Sequence, residues 1–392
     1  MESLDQAALI DTIRRGYGIA VRDLRACYNP DGIVAGRLHF NAYWARDGFW
    51  ALFGALALGD HAQARAQLET FIRYQFPSGM LPVRVEFVGH HLTGYNTLRS
   101  RPKVVGRAGG LFSNPIDPTA QFIIAMREYL ERTGDILFCK RCDTTMDRAI
   151  RWLERHDHDG DGLIESYFLA DWMDSILKWN KVFNLNVICY EGLRAYADLK
   201  RAIRQVVQAD AIQRRAEGVH ERLQSFWTGE YFADWMWGER RGGFSSDGNV
   251  LAMLAGVATE SQARRILGYI KAHGLDEGAP LRVCHPVYPW WRVFPMYYLA
   301  GIPDYHRAMI WPWLGTLNAI CKARFGDNQG ALVDLATIGE WYARGNAVNE
   351  VYDREGMPIS RRFYRAEVPF AWGAGTYVYA VHTLGLGPGW TV

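Results

Sequence analysis

The run PTAQFIIAMREYLERT (residues 118–133), the break Gly134-Asp135 and the run ILFCKRCDTTMDRAIRWLER (residues 136–155) together carry the pattern that decides the fold. Apolar residues recur at spacings of three and four through both runs, as on one face of an α-helix. Gly134 suits the end of the first helix, and Asp135 caps or charges the start of the second. The unit is a helical hairpin. The same periodicity returns over residues 7–28, 47–58, 62–75, 186–200, 203–226, 248–255, 261–272, 290–300, 305–324, 329–344 and 368–384. Gly59-Asp60, Gly301-Ile302-Pro303-Asp304 and Gly326-Asp327 punctuate it in the same way. About a dozen helices and no convincing alternating strand predict an all-α fold.

No Pro-, Ser- or Gly-rich linker divides the chain, and its candidate functional stretches run from residue 44 to residue 372. One site drawing on the whole length predicts one domain, residues 1–392. An open solenoid requires a fixed repeat period, and none is found. The expectation is closure into a toroid of two concentric helical rings, an (α/α)6 barrel. Long loops would gather at one mouth, with residues 77–118 as the largest of them.

Charge excludes several functions. Lys and Arg number 44 against 42 Asp and Glu, without blocks of either sign, so no electrostatic footprint for nucleic acid or an anionic membrane is present. Residues 1–9 lack the basic and apolar parts of a secretory signal, and no apolar run approaches the roughly 20 residues of a membrane span, so a cytoplasmic location is expected. Six scattered cysteines then read as free, buried thiols. Cys139 and Cys142 form a CxxC, but a second pair or histidines for zinc are missing. The informative excess is aromatic: 15 Trp, 20 Tyr and 18 Phe, gathered near polar residues. Such rings fill cores well; beside hydrogen-bonding groups they also suit the flat C–H faces of sugars.

Cleaving a glycosidic bond takes one carboxylic acid to protonate the departing oxygen and a second carboxylate to attack or to activate water. Three stretches offer acids among aromatic residues. In Tyr43-Trp44-Ala45-Arg46-Asp47-Gly48-Phe49-Trp50, Asp47 could grip sugar hydroxyls while Arg46 keeps it ionised, or it could simply favour a helix start. In Ala170-Asp171-Trp172-Met173-Asp174-Ser175, apolar neighbours would raise a carboxyl pKa, and Asp171 and Asp174 compete for the acid's role. In Asn349-Glu350-Val351-Tyr352-Asp353, Glu350 lies between two helices where a water-activating base could sit, with Glu355 and Glu367 as rivals. The turn from Asp157 through Asp159 to Asp161 resembles the start of a calcium loop, but the closing Glu of an EF-hand falls at Phe168. An ordered turn or a calcium site of another kind remains. No other cofactor is called for.

The order of these segments resembles inverting (α/α)6 glycosidases: the amylo-α-1,6-glucosidase domain of glycogen debranching enzymes, alkaline/neutral invertases and, more loosely, the processing-glucosidase and glucosylglycerate-hydrolase group. The matching segments are residues 44–49 followed by Gly79-Met80-Leu81-Pro82, Trp172-Met173-Asp174 before an apolar helix, Ile310-Trp311-Pro312-Trp313-Leu314, Glu350-Val351-Tyr352-Asp353, and Ala371-Trp372. They cover roughly residues 40 to 385. The resemblance implies Asp174 as general acid and Glu350 as general base. It also implies a sugar subsite including Trp44, Arg46, Asp47, Trp172, Trp311, Trp313 and Trp372, with an oligosaccharide or small α-glycoside as substrate. Where debranching enzymes and invertases carry Glu and Gln on the helix after the acid, Asn184 and Asn186 stand here, which bears on sugar and aglycone. Three alternatives share the toroid. A phosphorylase would need cations near the base, such as Arg354, Arg361 or Arg362. An epimerase would use histidines such as His90, His91, His285 or His382. A carbohydrate-binding protein would have lost its acid or base.

Overall fold

The computed structural model describes residues 6–86, 103–106 and 114–387. Among these lie fourteen helices: α1 (Gln6–Ala26), α2 (Ala45–Ala57), α3 (His61–Arg73), α4 (Asp117–Thr133), α5 (Ile136–Arg141), α6 (Asp143–Glu154), α7 (Phe183–Ala202), α8 (Val206–Leu223), α9 (Ser246–Leu254), α10 (Glu260–Ala272), α11 (Pro295–Leu299), α12 (Pro312–Arg324), α13 (Asn328–Gly345) and α14 (Ala371–Thr383). A helix that is apolar all round needs neighbours all round. In α9 every residue from Ser246 to Met253 is buried, and in α12 every residue from Pro312 to Lys322. These two belong to an inner ring in which α2 packs on α4, α4 on α7, α7 on α9, α9 on α12, α12 on α14, and α14 back on α2. The outer helices show one apolar stripe; α10 buries only Ala263, Ile266 and Ile270, spaced three and four apart. The expected toroid of two concentric rings is the observed fold.

The ring closes where α14 meets α2. A Cβ on Gly54 would collide with the backbone of Gly375, and one on Gly375 with the backbone of Ala51. Only glycine lets these two backbones approach so closely. On the outside, α1 packs against both α13 and α14.

Local chemistry explains most boundaries. Gly134 ends α4 in the left-handed conformation, and the Asp135 carboxylate caps α5 by accepting from the Phe138 N–H at 3.0 Å. Asp327 caps α13 likewise through Gly330. Asp60 does not cap α3; its carboxylate instead accepts from Arg25 and Tyr28. Three helical expectations need correction. Residues 136–155 form two helices separated at Cys142 rather than one. Residues 290–300 contribute only a 3-10 turn (Trp290–Arg292) and the short α11, because their apolar residues face solvent instead of a neighbour: Trp290 and Trp291 are 67% and 63% exposed. The helix expected from residue 305 begins at Pro312. Proline bars its predecessor from the helical region, and Trp311 is accordingly extended, which leaves Tyr305 and His306 in a loop. All six cysteines are free and buried, and burial pushes the Cys139 and Cys142 thiols up to about 12 and about 11.

Five of the inner helices, α2, α7, α9, α12 and α14, are entered from an extended residue. Short strands precede several of them, which the sequence reading missed. Tyr43–Trp44, Arg84–Glu86 and Lys103–Val105 make one antiparallel sheet; Glu165–Ser166, Asn180–Val182, Trp235–Trp237 and Arg240–Arg241 make another. Much of the expected 77–118 loop lies outside the described residues, as do His90 and His91. No described helix is long and apolar enough to cross a membrane.

Candidate active site

The first turns of the inner helices bring acids to one end of the ring: Asp47 on α2, Asp117 on α4 and Asp247 on α9. Helix N-termini favour negative charge, and Asp174 and Glu350 arrive at this end on loops. Leu169 and Asn180, both with positive φ, bracket the loop carrying Asp174. A buried ion-pair network fastens it. Lys178, 2% exposed, holds Asp171 at 2.7 Å and Asp234 at 3.4 Å, and the Tyr288 hydroxyl donates to Asp234 at 2.6 Å. Asp171 is thereby committed to structure, while its neighbour Asp174 is not.

Asp174 accepts a hydrogen bond from the Tyr297 hydroxyl at 2.6 Å and keeps some solvent-accessible surface although it lies deep in the protein. Burial raises its pKa, against the pull of Arg46 and Tyr297 toward the charged form. Glu350, 2% exposed, accepts from the hydroxyls of Tyr305 and Tyr364, the latter at 2.6 Å, and from the Glu367 N–H at 3.2 Å. Burial pushes its pKa up to about 7; the three donors work in the other direction, and the charge of Asp47 adds to the rise. The rings of Tyr297 and Tyr305 stack with centroids 5.5 Å apart, and the charges of both Asp174 and Glu350 bear on the Tyr297 hydroxyl. The two carboxylates therefore share one electrostatic neighbourhood with Asp47 and Arg46.

The neighbours of these residues are tied as well. Ser175, next to Asp174, hydrogen-bonds His306 Nδ1 at 2.8 Å, and His306 is next to Tyr305. Burial keeps the His306 pKa low, so the ring is neutral and suits a structural hydrogen bond.

The rival carboxylates are engaged elsewhere. Glu367 is fully buried and accepts from the N–H groups of Leu38, His39 and Phe40. Glu355 is exposed. Arg46 spends its guanidinium on Asp117, at 2.5 and 3.1 Å, and does not keep Asp47 fully ionised: burial lifts Asp47 to about 7. Asn186 is saturated, donating to the Ile164 and Val182 carbonyls and accepting from the Ile164 N–H, so it clamps a loop and has no group left for a sugar. Asn184 differs. It is 1% exposed, and neither amide atom has a hydrogen-bond partner among the described residues.

Trp172, Trp311, Trp313 and Trp372 come together, with centroids 4.8 to 6.4 Å apart in the pairs Trp313–Trp372, Trp172–Trp313, Trp172–Trp311 and Trp311–Trp372. All four are buried, so none lies open as a platform, and Trp311 meets Tyr305 edge to face with centroids 5.0 Å apart. Trp172 donates to Asp247 at 2.6 Å, while the indole N–H groups of Trp313 and Trp372 have no partner among the described residues. Trp44 remains partly exposed, with the Arg84 guanidinium 4.5 Å from its ring centroid. Tyr297, Tyr305, Tyr364, Asp117 and Asp247 were missed by the sequence reading.

The turn after α6 has its own cation. Oxygens of Asp157, Asp159 and Glu165 lie close enough to share an ion. The Lys181 ammonium stands 2.7 Å from Asp159, 2.5 Å from Asp161 and 3.3 Å from Glu165. The Asp157 carboxylate accepts from the N–H groups of Gly160 and Gly162.

Tyr364→Phe gives a direct test of Glu350's environment. Losing a donor to the charged form should raise the Glu350 pKa further above about 7, so an activity that needs this carboxylate ionised would have its acidic limb moved to higher pH. An unchanged limb in the pH–rate profile would show that another group sets it.

No protein-family model matches the chain, and no curated protein matches it by sequence. Solved structures do match, and they define the fold as that of a toroid found among glycoside hydrolases. The GH63 mannosylglycerate hydrolase from Thermus thermophilus, in complex with glucose, has a TM-score of 0.71 at 16% identity, covering 93% of this chain and 99% of its own. A rhamnosidase from Klebsiella oxytoca with rhamnose bound has a TM-score of 0.70 at 16% identity, over 97% of this chain and 64% of its own. A glycosidase in complex with glucose has 0.67 at 16% identity, over 98% of this chain and 100% of its own.

Proposed function

We propose that the protein is an inverting α-glycosidase, with an α-glucoside as the substrate to test first, in which Asp174 protonates the leaving oxygen and Glu350 activates the attacking water. The observation that carries this reading is the pair of carboxylates at one end of the ring, Asp174 held by one tyrosine hydroxyl and Glu350 by two. Burial raises the Asp174 pKa, which favours a proton donor, and this carboxyl keeps some solvent-accessible surface; Glu350 is more fully buried, oriented by three donors. Burial with matched donors is how two acids acquire different roles near neutral pH. The structurally similar proteins carry glucose or rhamnose, which supports a sugar as ligand. Asn184, with its unpartnered amide, is the polar group best placed on α7 to meet a substrate hydroxyl. No metal enters the proposed mechanism, so chelation should leave turnover unchanged.

Hydrolysis is favoured over phosphorolysis. Glu350's partners are tyrosines and a backbone N–H, Arg361 is paired with Asp304 at 2.6 Å, and Arg354 and Arg362 are exposed. A panel of α- and β-glucosides, sucrose, trehalose, isomaltose and glucosylglycerate, followed by proton NMR during turnover, tests the reading. The first-formed product should be the β-anomer from an α-glycoside. Retention of configuration, or turnover that requires phosphate, would overturn it.

Asp47 is expected to serve the transition state. Contacts from a carboxylate to sugar hydroxyls tighten as the ring flattens. Asp47→Ala should thus lower kcat as well as affinity; a rise in KM alone would show that Asp47 grips only the ground state.

A further inference from the structure

Outside the carboxylate site, a concavity of about 500 Å³ is lined by Asp159, Glu165, Ser166, Tyr167, Trp179 and Trp237, among others. That volume falls in the range of small-molecule sites. Its walls are aromatic and its edges polar. Tyr167 is 74% exposed, Trp237 49% and Trp179 37%, so three large rings face solvent in one place.

These rings are held in position. Trp179 and Trp237 meet edge to face with centroids 6.0 Å apart. The Arg292 guanidinium stacks 5.3 Å from Trp179 and 4.3 Å from Trp235, and Arg292 is itself anchored by donating to the Leu177 carbonyl at 3.1 Å. Strands Glu165–Ser166, Asn180–Val182 and Trp235–Trp237 lie side by side beneath them. Asn180, in the left-handed region, turns the chain where Trp179 leaves the strand. A ring fixed before binding loses little freedom when a ligand settles on it.

We infer that this concavity is a second carbohydrate-binding site, taking a pyranose unit of a longer glycan against Trp179 and Trp237. Apolar sugar faces stack on the exposed rings, and hydroxyls meet His158, Ser166, Asn180 and the carboxylates of Asp159 and Glu165. A protein partner fits less well, because a concavity of about 500 Å³ has the size of a small-molecule site, whereas a stable protein interface spreads over about 800 Å² per partner. The site stands on the loop that carries Asp174: Trp179 follows that acid by five residues, and Ile176 pairs with Val293 between them. A glycan held here is thus tethered to the element presenting the proposed acid. The inference lengthens the substrate of the proposed hydrolase, and it rests on that reading only for the choice of probes.

Calorimetric titration of the whole protein with gluco-, manno- and rhamno-oligosaccharides of two and six units tests it, alongside turnover of an aryl glycoside. At least one hexasaccharide should bind about ten-fold more tightly than its disaccharide. Trp179→Ala and Trp237→Ala should each remove most of that difference. Trp179→Phe should keep part of it, and all three variants should turn over the aryl glycoside as the parent does. Two results overturn the inference: no hexasaccharide binding more tightly than its disaccharide, or a preference that survives both alanine substitutions. Binding without any turnover would sink the hydrolase reading and leave this one standing.

Discussion

Asp174→Asn should lose hydrolysis of alkyl glycosides by a factor of about 100 or more while retaining much of its activity on the glycosyl fluoride of matching configuration. An alkoxide departs poorly unless a proton reaches it, and the Asp174 carboxyl, whose pKa burial raises, is the proposed donor. Fluoride leaves without that help. Glu350→Gln should lose both substrates, since the attacking water has to be activated whatever departs. Initial rates on the two substrate types separate the roles. If Asp174→Asn fails on both and Glu350→Gln only on the alkyl glycoside, the assignments are exchanged. If neither is impaired, the acid and base lie elsewhere.

Glu350→Gln should also make the protein more stable above neutral pH. Burial holds Glu350 at about 7 against an ordinary value of 4.5. The folded state therefore binds its proton more tightly than the unfolded chain does, which favours folding at low pH. That advantage is lost as pH rises through about 7, and above it the ionised carboxylate costs about 3 kcal/mol relative to the unfolded chain. An amide of the same shape avoids the charge and still accepts from Tyr305; its NH2 can donate to a rotated Tyr364 hydroxyl, but the Glu367 N–H loses its acceptor, at about 1 kcal/mol. Urea unfolding at about pH 8 should show a gain of about 1 to 2 kcal/mol that disappears toward pH 4.5. A variant less stable than the parent at the higher pH would mean that the tyrosines need the charge more than burial opposes it.

Local periodicity made most helices legible, because a stripe or a wholly apolar circumference is written into residue spacing. It misled at residues 290–300, where the same spacing serves exposed rings, and at 305–311, where Pro312 was the available warning. The acid segment was legible down to its two competing aspartates. The resemblance pointed to Asp174; what local spacing could not show is that Lys178, seven residues from Asp171, holds that carboxylate together with Asp234, which lies much farther along the chain. The tyrosines were out of reach for the same reason: Tyr297 meets Asp174 across 123 positions and Tyr305 meets Glu350 across 45, and no local pattern marks such pairs. Asn184 and Asn186 looked equivalent in sequence, yet one amide is saturated by backbone and the other is unpartnered.

The closure of the inner ring through Gly54 and Gly375 has a bearing on how the chain is made. During synthesis α2 emerges early and waits for α14, about three hundred residues later, before its exposed side is covered. Pairings so distant in sequence are slow to form and leave apolar surface open to aggregation meanwhile. The loop bearing Asp174 is synthesised well before Glu350, so the proposed acid has no partner until 176 further residues have been made (350 − 174). Assembly of the proposed site is thus coupled to the docking of α14, and a nascent or truncated chain without it would lack the neighbour that α2 and α12 both pack against.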